Sequence, residues 1–548
     1  MTRDAAIVEV KNLNVDFGEP GSSRHVVKNV SFSIAPGESV GLGGESGSGK
    51  SVTVRTLLGL YADNEHVQAE TYEVFGKSAR EYRDKDWRNL RGDRIGFVLQ
   101  DALTSLDPLK TIGYQVAESI NAHGKADSKE TSRRVVKLLD NVGIPQPEIR
   151  QHQYSHELSG GLRQRALIAG AIANAPQLII ADEPTTALDV TVQAQVLELL
   201  RSYQRDGSAL LLVSHDLAVV ASVCDRILVM KHGEIVEEGS ADEILHHPKR
   251  EYTKLLLAAV PSAKSRGRRL SSIQHEPLPL KHIDYRHNLI HAEHVSKTYH
   301  THRIGTVHAV ADAGVDLFRG ETLGIVGESG SGKSTFAKVL AGLVEPTEGT
   351  VTLEGSPWSP LPEKQRRARR QEIQVISQDP ISSFDPRYTV AEIIAEPLKA
   401  RKTLTKKDIE LKVHESLGLV QLPGEYAGYR PSRLSGGQRQ RVAIARALAV
   451  NPSVLVADEA VSALDVSIQA QILDLLADIQ AKTQVGIVFI SHDLGVVHHI
   501  ADDVIVMKDG RIVEHGEPDQ VFEHPSHPYT KRLIAALPKI PGEERMPL

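Results

Sequence analysis

Two stretches of this chain carry residues spaced to hold a row of phosphates. They are Gly44-Glu45-Ser46-Gly47-Ser48-Gly49-Lys50-Ser51 and Gly327-Glu328-Ser329-Gly330-Ser331-Gly332-Lys333-Ser334. Both fit the phosphate-loop pattern G-x-x-x-x-G-K-[ST]. A glycine-rich turn between strand and helix lets successive backbone N–H groups point inward, and the helix dipole adds positive potential. Lys50 and Lys333 would then reach the β- and γ-phosphates, and Ser51 and Ser334 would offer a hydroxyl to Mg²⁺. Val52 follows the first loop and Thr335 the second.

The same further groups follow each loop in the same order. Asp182-Glu183 closes the apolar run Leu178-Ile179-Ile180-Ala181, and Asp458-Glu459 closes Val454-Leu455-Val456-Ala457. Ligands of parallel sheets sit at the carboxyl ends of the strands. Asp182 and Asp458 are therefore expected to hold the metal through its waters, and Glu183 and Glu459 to orient and polarise an attacking water. Phosphoryl transfer asks for this kind of positioning and charge neutralisation more than for covalent chemistry. Gln100 and Gln378 follow the apolar strands Ile95–Leu99 and Ile373–Ile376, where a side-chain amide can touch Mg²⁺ and the water. His215 and His492, each within Ser-His-Asp after an apolar strand, could bond a γ-phosphate through a neutral ring N–H.

The elements that must position these groups alternate. Strands are expected at Ala6–Val15, Val30–Ile34, Ile95–Leu99, Leu178–Ala181 and Ala209–Val213, with counterparts at Ile373–Ile376, Val454–Ala457 and Val485–Ile490. Ser39–Leu42 and Leu323–Val326 run into the two phosphate loops, and a helix follows each loop. Val192, Val196, Leu199 and Tyr203 recur at helical spacing. Strands alternating with helices give an α/β fold with a mainly parallel sheet covered on both faces. A helix-rich insertion lies between Leu99 and Ser159, and another between Gln378 and Ser435. The repeat, roughly 280 residues long, is far above solenoid periods and means duplicated domains. The expected division is residues 1–261, a linker at 262–287 and residues 288–548. The linker is polar, with Lys264, Arg266, Arg268, Arg269, Pro277 and Pro279, and is expected to be solvated.

The bulk properties exclude little but are consistent. The 548 residues are 41% hydrophobic and 24% charged, an ordinary globular balance. A net charge of −6 gives no support to a nucleic-acid partner. A single cysteine, Cys224, excludes an internal disulfide and reads as a small buried apolar residue. No apolar run approaches the roughly 18 residues of a spanning helix. Met1–Ala5 lacks a signal-peptide apolar region. The chain is expected to be soluble, with any membrane role coming through partners.

Leu158-Ser159-Gly160-Gly161 and Leu434-Ser435-Gly436-Gly437-Gln438, taken with the loops and the Asp-Glu pairs, resemble the signature of ATP-binding cassette ATPases. The resemblance spans essentially the whole chain. It implies that the domains stack head to tail, with ATP at two interfaces. Lys50, Ser51, Gln100, Asp182, Glu183 and His215 would face Ser435, Gly436, Gly437 and Gln438. Lys333, Ser334, Gln378, Asp458, Glu459 and His492 would face Ser159, Gly160 and Gly161. Phe17 and Tyr299 match the position that stacks the adenine ring. Ala187-Leu188-Asp189 and Ala463-Leu464-Asp465 match the loop that crosses between sites.

Two further stretches are similar to dipeptide and oligopeptide importers. Gln100-Asp101-Ala102-Leu103-Thr104-Ser105-Leu106-Asp107-Pro108 and Gln378–Pro386 look like Q-D-P-x-x-S-L-x-P. His247-Pro248-Lys249-Arg250-Glu251-Tyr252-Thr253 and His527-Pro528-Tyr529-Thr530 look like that group's H-P-Y-T extension, the first less closely. The chain departs from the pattern at Leu162, where Gln is usual, at Val52, where Thr335 supplies a hydroxyl in the other copy, and at Ala460, where Pro184 stands in the first. The resemblance implies an ATPase subunit on the cytoplasmic face of the inner membrane. Its partners would be two integral-membrane permeases and, through them, an extracytoplasmic solute-binding protein. The alternatives are a tandem-cassette translation factor, which usually has a longer charged helical linker, and a sugar-importer ATPase, which often has one degenerate site. Peptides, glutathione, nickel chelates and opines all remain open as solutes.

Overall fold

A computed structural model describes residues 6–19, 23–100, 105–124, 127–185, 188–262, 265–301, 305–400, 404–462 and 464–537. These fall into two compact units, residues 6–257 and 258–537. Asp101–Thr104, Ala187 and Ala463 lie outside the described residues.

Each unit is built on a six-stranded sheet with the same strand order. In the first unit the order is Glu234–Ser240, Arg226–Lys231, Ser39–Gly43, Ala209–Ser214, Leu178–Asp182, Ile95–Val98. In the second it is Arg511–Gly516, Asp503–Lys508, Thr322–Val326, Gly486–Ile490, Val454–Asp458, Ile373–Ile376. All neighbours are parallel except the hairpin at the first-named edge. The α/β expectation holds, and its reason is visible in the side chains. Ile179, Ala181, Leu210 and Leu212 face one apolar core, and Leu178, Ile180, Leu211 and Val213 face another. Strands buried on both faces must read as continuous apolar runs.

A second, antiparallel sheet packs in each unit. Val8–Phe17 pairs with Arg24–Ile34, Glu65–Gln68 and Thr71–Val74. Asp284–Thr301 pairs with Gly305–Arg319 and Glu348–Leu353. The helical insertions are also present, as Ile112–Asn121 with Ser128–Asn141 and as Val390–Lys399 with Lys406–Leu419. Thr111, Asp127, Thr389 and Thr405 cap these helices through their side chains. Among the described residues no helix is long and apolar enough to cross a membrane.

The connecting segment differs from expectation. It is docked on the second unit rather than solvated. Leu270 is fully buried, and its N–H donates to Asp474 Oδ1 at 3.0 Å. The Ser271 N–H and hydroxyl both donate to Asp474 Oδ2, at 3.1 and 2.6 Å. Arg269 forks onto Asp478 at 2.7 and 3.2 Å, and Arg266 reaches Asp519 at 2.8 Å. Lys281 meets Asp502 at 2.5 Å. Much of the basic cluster is thus matched to carboxylates some 200 residues further along, which local composition cannot show. Lys264 lies outside the described residues.

Candidate functional site

The phosphate loops begin where the central strands end. Gly44 and Gly327 have φ of 144° and 152°, and a Cβ at either would meet the Met230 or Met507 carbonyl oxygen at 2.2 or 2.3 Å. The backbone of the adjoining strand therefore closes one wall of each loop. The crest is open: Ser46, Gly47, Ser329 and Gly330 are exposed. Gly49 and Gly332 cap the following helices, Lys50–Leu57 and Lys333–Leu340. Inside the loops Lys50 Nζ donates to the Gly44 and Glu45 carbonyls at 2.6 and 2.8 Å, and Lys333 Nζ to those of Gly327 and Glu328 at 2.7 and 2.8 Å. Val52 is half-buried against the apolar core, and Thr335 is half-buried at the same turn.

The acidic pairs meet the loops as expected. Ser51 Oγ lies 3.3 Å from Asp182 Oδ1, and Ser334 Oγ 2.9 Å from Asp458 Oδ1. Burial pushes both aspartates above the usual carboxylate range. A buried carboxyl raised in this way, with a serine hydroxyl beside it, is a donor set that a divalent cation would complete. The Ser48 and Ser331 hydroxyls are buried in the loops without a hydrogen-bond partner. Both observations fit a magnesium nucleotide at these loops.

Glu183 and Glu459 have left-handed backbones, with φ of 48° and 51°. Their N–H groups donate to the Val213 and Ile490 carbonyls at 2.9 and 3.0 Å, which holds that uncommon conformation in place. His215 Nδ1 is 3.4 Å from Glu183, and His492 Nδ1 is 3.7 Å from Glu459. Burial works against a proton on either ring, but the neighbouring glutamate outweighs it and leaves both histidines above their ordinary value. The His492 ring in turn holds the Glu459 carboxyl below its usual range.

The glutamines are placed differently. Gln100 Nε2 donates to Glu183 Oε2 at 3.0 Å. Gln378 Nε2 instead approaches Ser462 Oγ at 3.4 Å. Only the first glutamine touches its glutamate.

The aromatic positions lie alike in the two units. Phe17 pairs with Arg24, two residues before Val26, whose carbonyl would lie 3.0 Å from a Cβ on Gly49. Tyr299 pairs with Val307, two residues before Ala309, whose carbonyl would lie 2.3 Å from a Cβ on Gly332. Each ring is thus carried on a strand beside the last loop glycine.

The Leu-Ser-Gly-Gly stretches open helices Gly160–Ala171 and Gly436–Leu448, with Ser159 and Ser435 as caps. A Cβ on Gly161 would lie 3.0 Å from Val192, and one on Gly437 2.5 Å from Ile468, so the fourth residue of each stretch is close-packed. Gly160 would meet nothing within 4 Å, and Gly436 only Leu464 at 3.7 Å. Asp189 and Asp465 cap the helices Val190–Arg205 and Val466–Thr483. Gln438 is bonded within its own unit. Its Oε1 accepts from Ser435 N–H at 2.9 Å and its Nε2 donates to the Tyr426 hydroxyl at 3.0 Å.

One contact was not foreseen from the motifs. The Tyr252 hydroxyl accepts from the Glu45 N–H at 3.2 Å, and the Tyr529 hydroxyl from the Glu328 N–H at 3.0 Å. The signal available in the sequence is the Tyr-Thr pair that ends both extensions.

A duplicated parallel sheet with phosphate loop, switch carboxylates and capping signature defines a tandem P-loop ATPase. Residues 27–186 and 310–462 match the ABC transporter family, and residues 236–284 and 513–547 match the oligopeptide/dipeptide transporter C-terminal region. The chain belongs to the ABC transporter family and is an ATP-binding, ATP-hydrolysing subunit of an importer of the dipeptide/oligopeptide group. It is 42% identical to the glutathione import ATP-binding protein GsiA of Escherichia coli (strain K12) over 97% of this chain and 89% of that protein. The GsiA of Pectobacterium atrosepticum is 42% identical over 98% and 90%. The dimeric ATP-binding cassette MJ0796 bound to ADP and phosphate is 30% identical over 42% of this chain and 99% of its own, with a TM-score of 0.39.

Proposed function

We propose that this chain drives uptake of glutathione or a similarly short peptide, using two ATP sites that each half completes for the other. The observation that carries this reading is the duplicated set of lysine, aspartate, glutamate and histidine, with the importer-group extension bonded to both phosphate loops. Likeness over nearly the full length to proteins named for glutathione import supports the solute.

In each site the loop N–H groups and Lys50 or Lys333 bind the phosphates, with Phe17 or Tyr299 against the base. Mg²⁺ would be held by Ser51 and Asp182, or Ser334 and Asp458, with Gln100 or Gln378, and would neutralise charge on the phosphates. Glu183 and Glu459 take a proton from the attacking water, and His215 and His492 orient that carboxylate and meet the γ-phosphate. Ser435, Gly436, Gly437 and Gln438 cap the site of Lys50, and Ser159, Gly160 and Gly161 cap the site of Lys333. The open backbone at Gly160 and Gly436 supports this, because N–H groups at a helix start form an anion seat only where nothing covers them. Residues 1–261 and 288–548 act as the two halves, closing as a pseudo-dimer within one chain.

Two permeases would dock on the helical insertions, placing the chain at the cytoplasmic face of the membrane and leaving an extracytoplasmic binding protein to deliver solute. The test is purification of the tagged full chain in mild detergent, followed by reconstitution. Two integral-membrane proteins should copurify, and ATPase activity in vesicles should rise with a glutathione-loaded binding protein. Ribosomes in place of the membrane proteins would overturn the importer assembly. Membrane partners without any response to glutathione or short peptides would overturn the solute.

A further inference from the structure

The C-terminal extension of each cassette touches the phosphate loop through one hydroxyl. Tyr252 and Tyr529 are buried, at 8% and 3% exposure, although each lies in a short surface helix. Their hydroxyls accept the N–H of the residue after the first loop glycine, Glu45 at 3.2 Å and Glu328 at 3.0 Å. The other end of each of these residues is equally engaged. The Glu45 carbonyl accepts from Lys50 Nζ at 2.8 Å and from Ser48 N–H at 3.2 Å, and the Glu328 carbonyl from Lys333 Nζ at 2.8 Å and Ser331 N–H at 3.2 Å. The tyrosine hydroxyl and the phosphate-binding lysine thus hold opposite sides of one loop residue.

The extension is itself anchored by one acid on the edge hairpin. Glu237 accepts the N–H groups of Lys249 and Arg250 at 2.6 and 3.1 Å and bonds the Thr253 hydroxyl. Glu514 accepts those of Ser526 and His527 at 2.6 and 3.2 Å. Lys231 and Lys508 lie over the tyrosine rings, 4.4 and 5.3 Å from the centroids. The two extensions are equal in length from the anchoring acid to the tyrosine, Glu237 to Tyr252 and Glu514 to Tyr529, with His247-Pro248 and His524-Pro525 at matching places. The tyrosine reaches the same N–H in both although the residues between differ, Lys249-Arg250-Glu251 against Ser526-His527-Pro528.

We infer that Tyr252 and Tyr529 are positioning residues for ATP, setting the shape of the phosphate loop through its second residue. This rests on the phosphate loops being the nucleotide sites. They would make the extension a lever on nucleotide affinity and not on the hydrolysis step, since neither lies among the groups that handle the attacking water.

The experiment uses the full chain with one site silenced, so that the other is read alone. In a Lys333→Ala background, Tyr252→Phe keeps the ring and removes the hydroxyl. Loss of one such hydrogen bond should raise the KM for ATP about 2- to 13-fold while leaving kcat at saturating ATP within about twofold. Tyr529→Phe in a Lys50→Ala background should behave alike. Thr253→Val loosens the anchor but leaves the tyrosine hydroxyl, and should move KM less than Tyr252→Phe does. An unchanged KM in both Phe variants would overturn the inference, as would equal KM shifts in Thr253→Val and Tyr252→Phe. If a Phe variant folds poorly, nucleotide binding measured on its folded fraction with a fluorescent ATP analogue gives the same two outcomes. The nucleotide-site reading is tested separately by Lys50→Ala with Lys333→Ala, which should abolish analogue binding whatever the tyrosines do.

Discussion

At the foot of its central strand the first unit places Glu38 against Arg226, 2.8 Å away, and Arg226 also reaches Glu238. The second unit has Glu321 in the place of Glu38, but its strand neighbour is Asp503 instead of an arginine. Asp503 pairs with His515 at 2.5 Å, and Glu321 is left buried among carboxylates, accepting the Phe318 N–H at 2.7 Å. Burial, together with Asp503 and Asp502, pushes Glu321 up to about 7. The same sheet is therefore closed by a glutamate–arginine ion pair in one half and by proton-dependent contacts in the other. The sites above it kept their glutamates and histidines while this supporting charge was inverted. Duplication has conserved the position of the chemistry more tightly than the means of holding it.

The largest expected effect bears on whether both sites hydrolyse. Glu183→Gln with Glu459→Gln should reduce ATP turnover by about 10²–10⁴-fold while nucleotide still binds, because only the water-handling groups are lost. Each single variant then sharpens the comparison. Gln100 touches Glu183 at 3.0 Å but Gln378 does not touch Glu459, so Gln100→Ala should disturb a Lys333→Ala chain more than Gln378→Ala disturbs a Lys50→Ala chain. Near-normal turnover in the double Glu→Gln protein would remove the role given to both glutamates.

Next is the packing beneath the two signatures. A Cβ at position 437 would come within 2.5 Å of Ile468, and one at 161 within 3.0 Å of Val192. Gly437→Ala should therefore cost more stability than Gly161→Ala, at the upper and lower parts of the about 1–3 kcal/mol range for overpacking. Gly160→Ala meets no atom within 4 Å and should leave folding intact, yet it should impair hydrolysis if this backbone caps a phosphate. Urea melts paired with ATPase rates separate the two effects. Normal activity in a stable Gly160→Ala protein would break the capping assignment.

The charge inversion predicts a pH dependence centred on Glu321 in the second unit. Glu321 holds its proton more tightly folded than unfolded, so its contribution is complete below its unfolded value of about 4.5 and is lost as pH rises through about 7. His515, raised by Asp503, also loses its contribution with rising pH. After the His–Glu pairs common to both sites are allowed for, the second unit should melt progressively lower from pH 5 to pH 8. Glu321→Gln should recover about 1 kcal/mol at pH 8 after discount for solvent screening, or about 2–4 °C in a unit of this size. A variant that melts like the parent at pH 8 would show that Glu321 is not the cause.

Much of this architecture was legible because its signals are local. The apolar runs that became central strands stand within one or two residues of their expected bounds, since strands buried on both faces need no partner to be recognised. The loops, acidic pairs and histidines were legible for the same reason, as each is a short pattern at a strand end. What stayed hidden depends on residues far apart in the chain. The segment around Leu270 read as solvated because Asp474, Asp478 and Asp519 lie some 200 residues beyond it. Tyr252 read only as part of the importer-group extension because nothing near it points to Glu45. The pairing of Gln378 with Ser462 was equally out of reach, since it turns on side-chain placement at a strand end.

The smallest expected effect concerns position 162 against position 438. Gln438 follows the signature of the second unit where Leu162 stands in the first, and Gln438 is bonded within its own unit. It closes a capping box with Ser435 and braces Tyr426. Leu162 can do neither. Ser159 still caps its helix through a 3.4 Å contact with the Leu162 N–H, and the leucine side chain packs partly against the apolar core. Gln438→Leu should thus cost the second unit about 1 kcal/mol, the worth of hydrogen bonds of this kind. Leu162→Gln should change the first by only a few tenths, because a gained cap bond is offset by lost apolar contact and Arg150 stands where Tyr426 would be. Urea midpoints of the two variants test this, with ATPase rates in single-site backgrounds as the second reading. A stability change confined to Gln438→Leu, with turnover per folded site unaltered, would identify the glutamine as a helix brace. A change in turnover without a change in midpoint would restore the role across the interface.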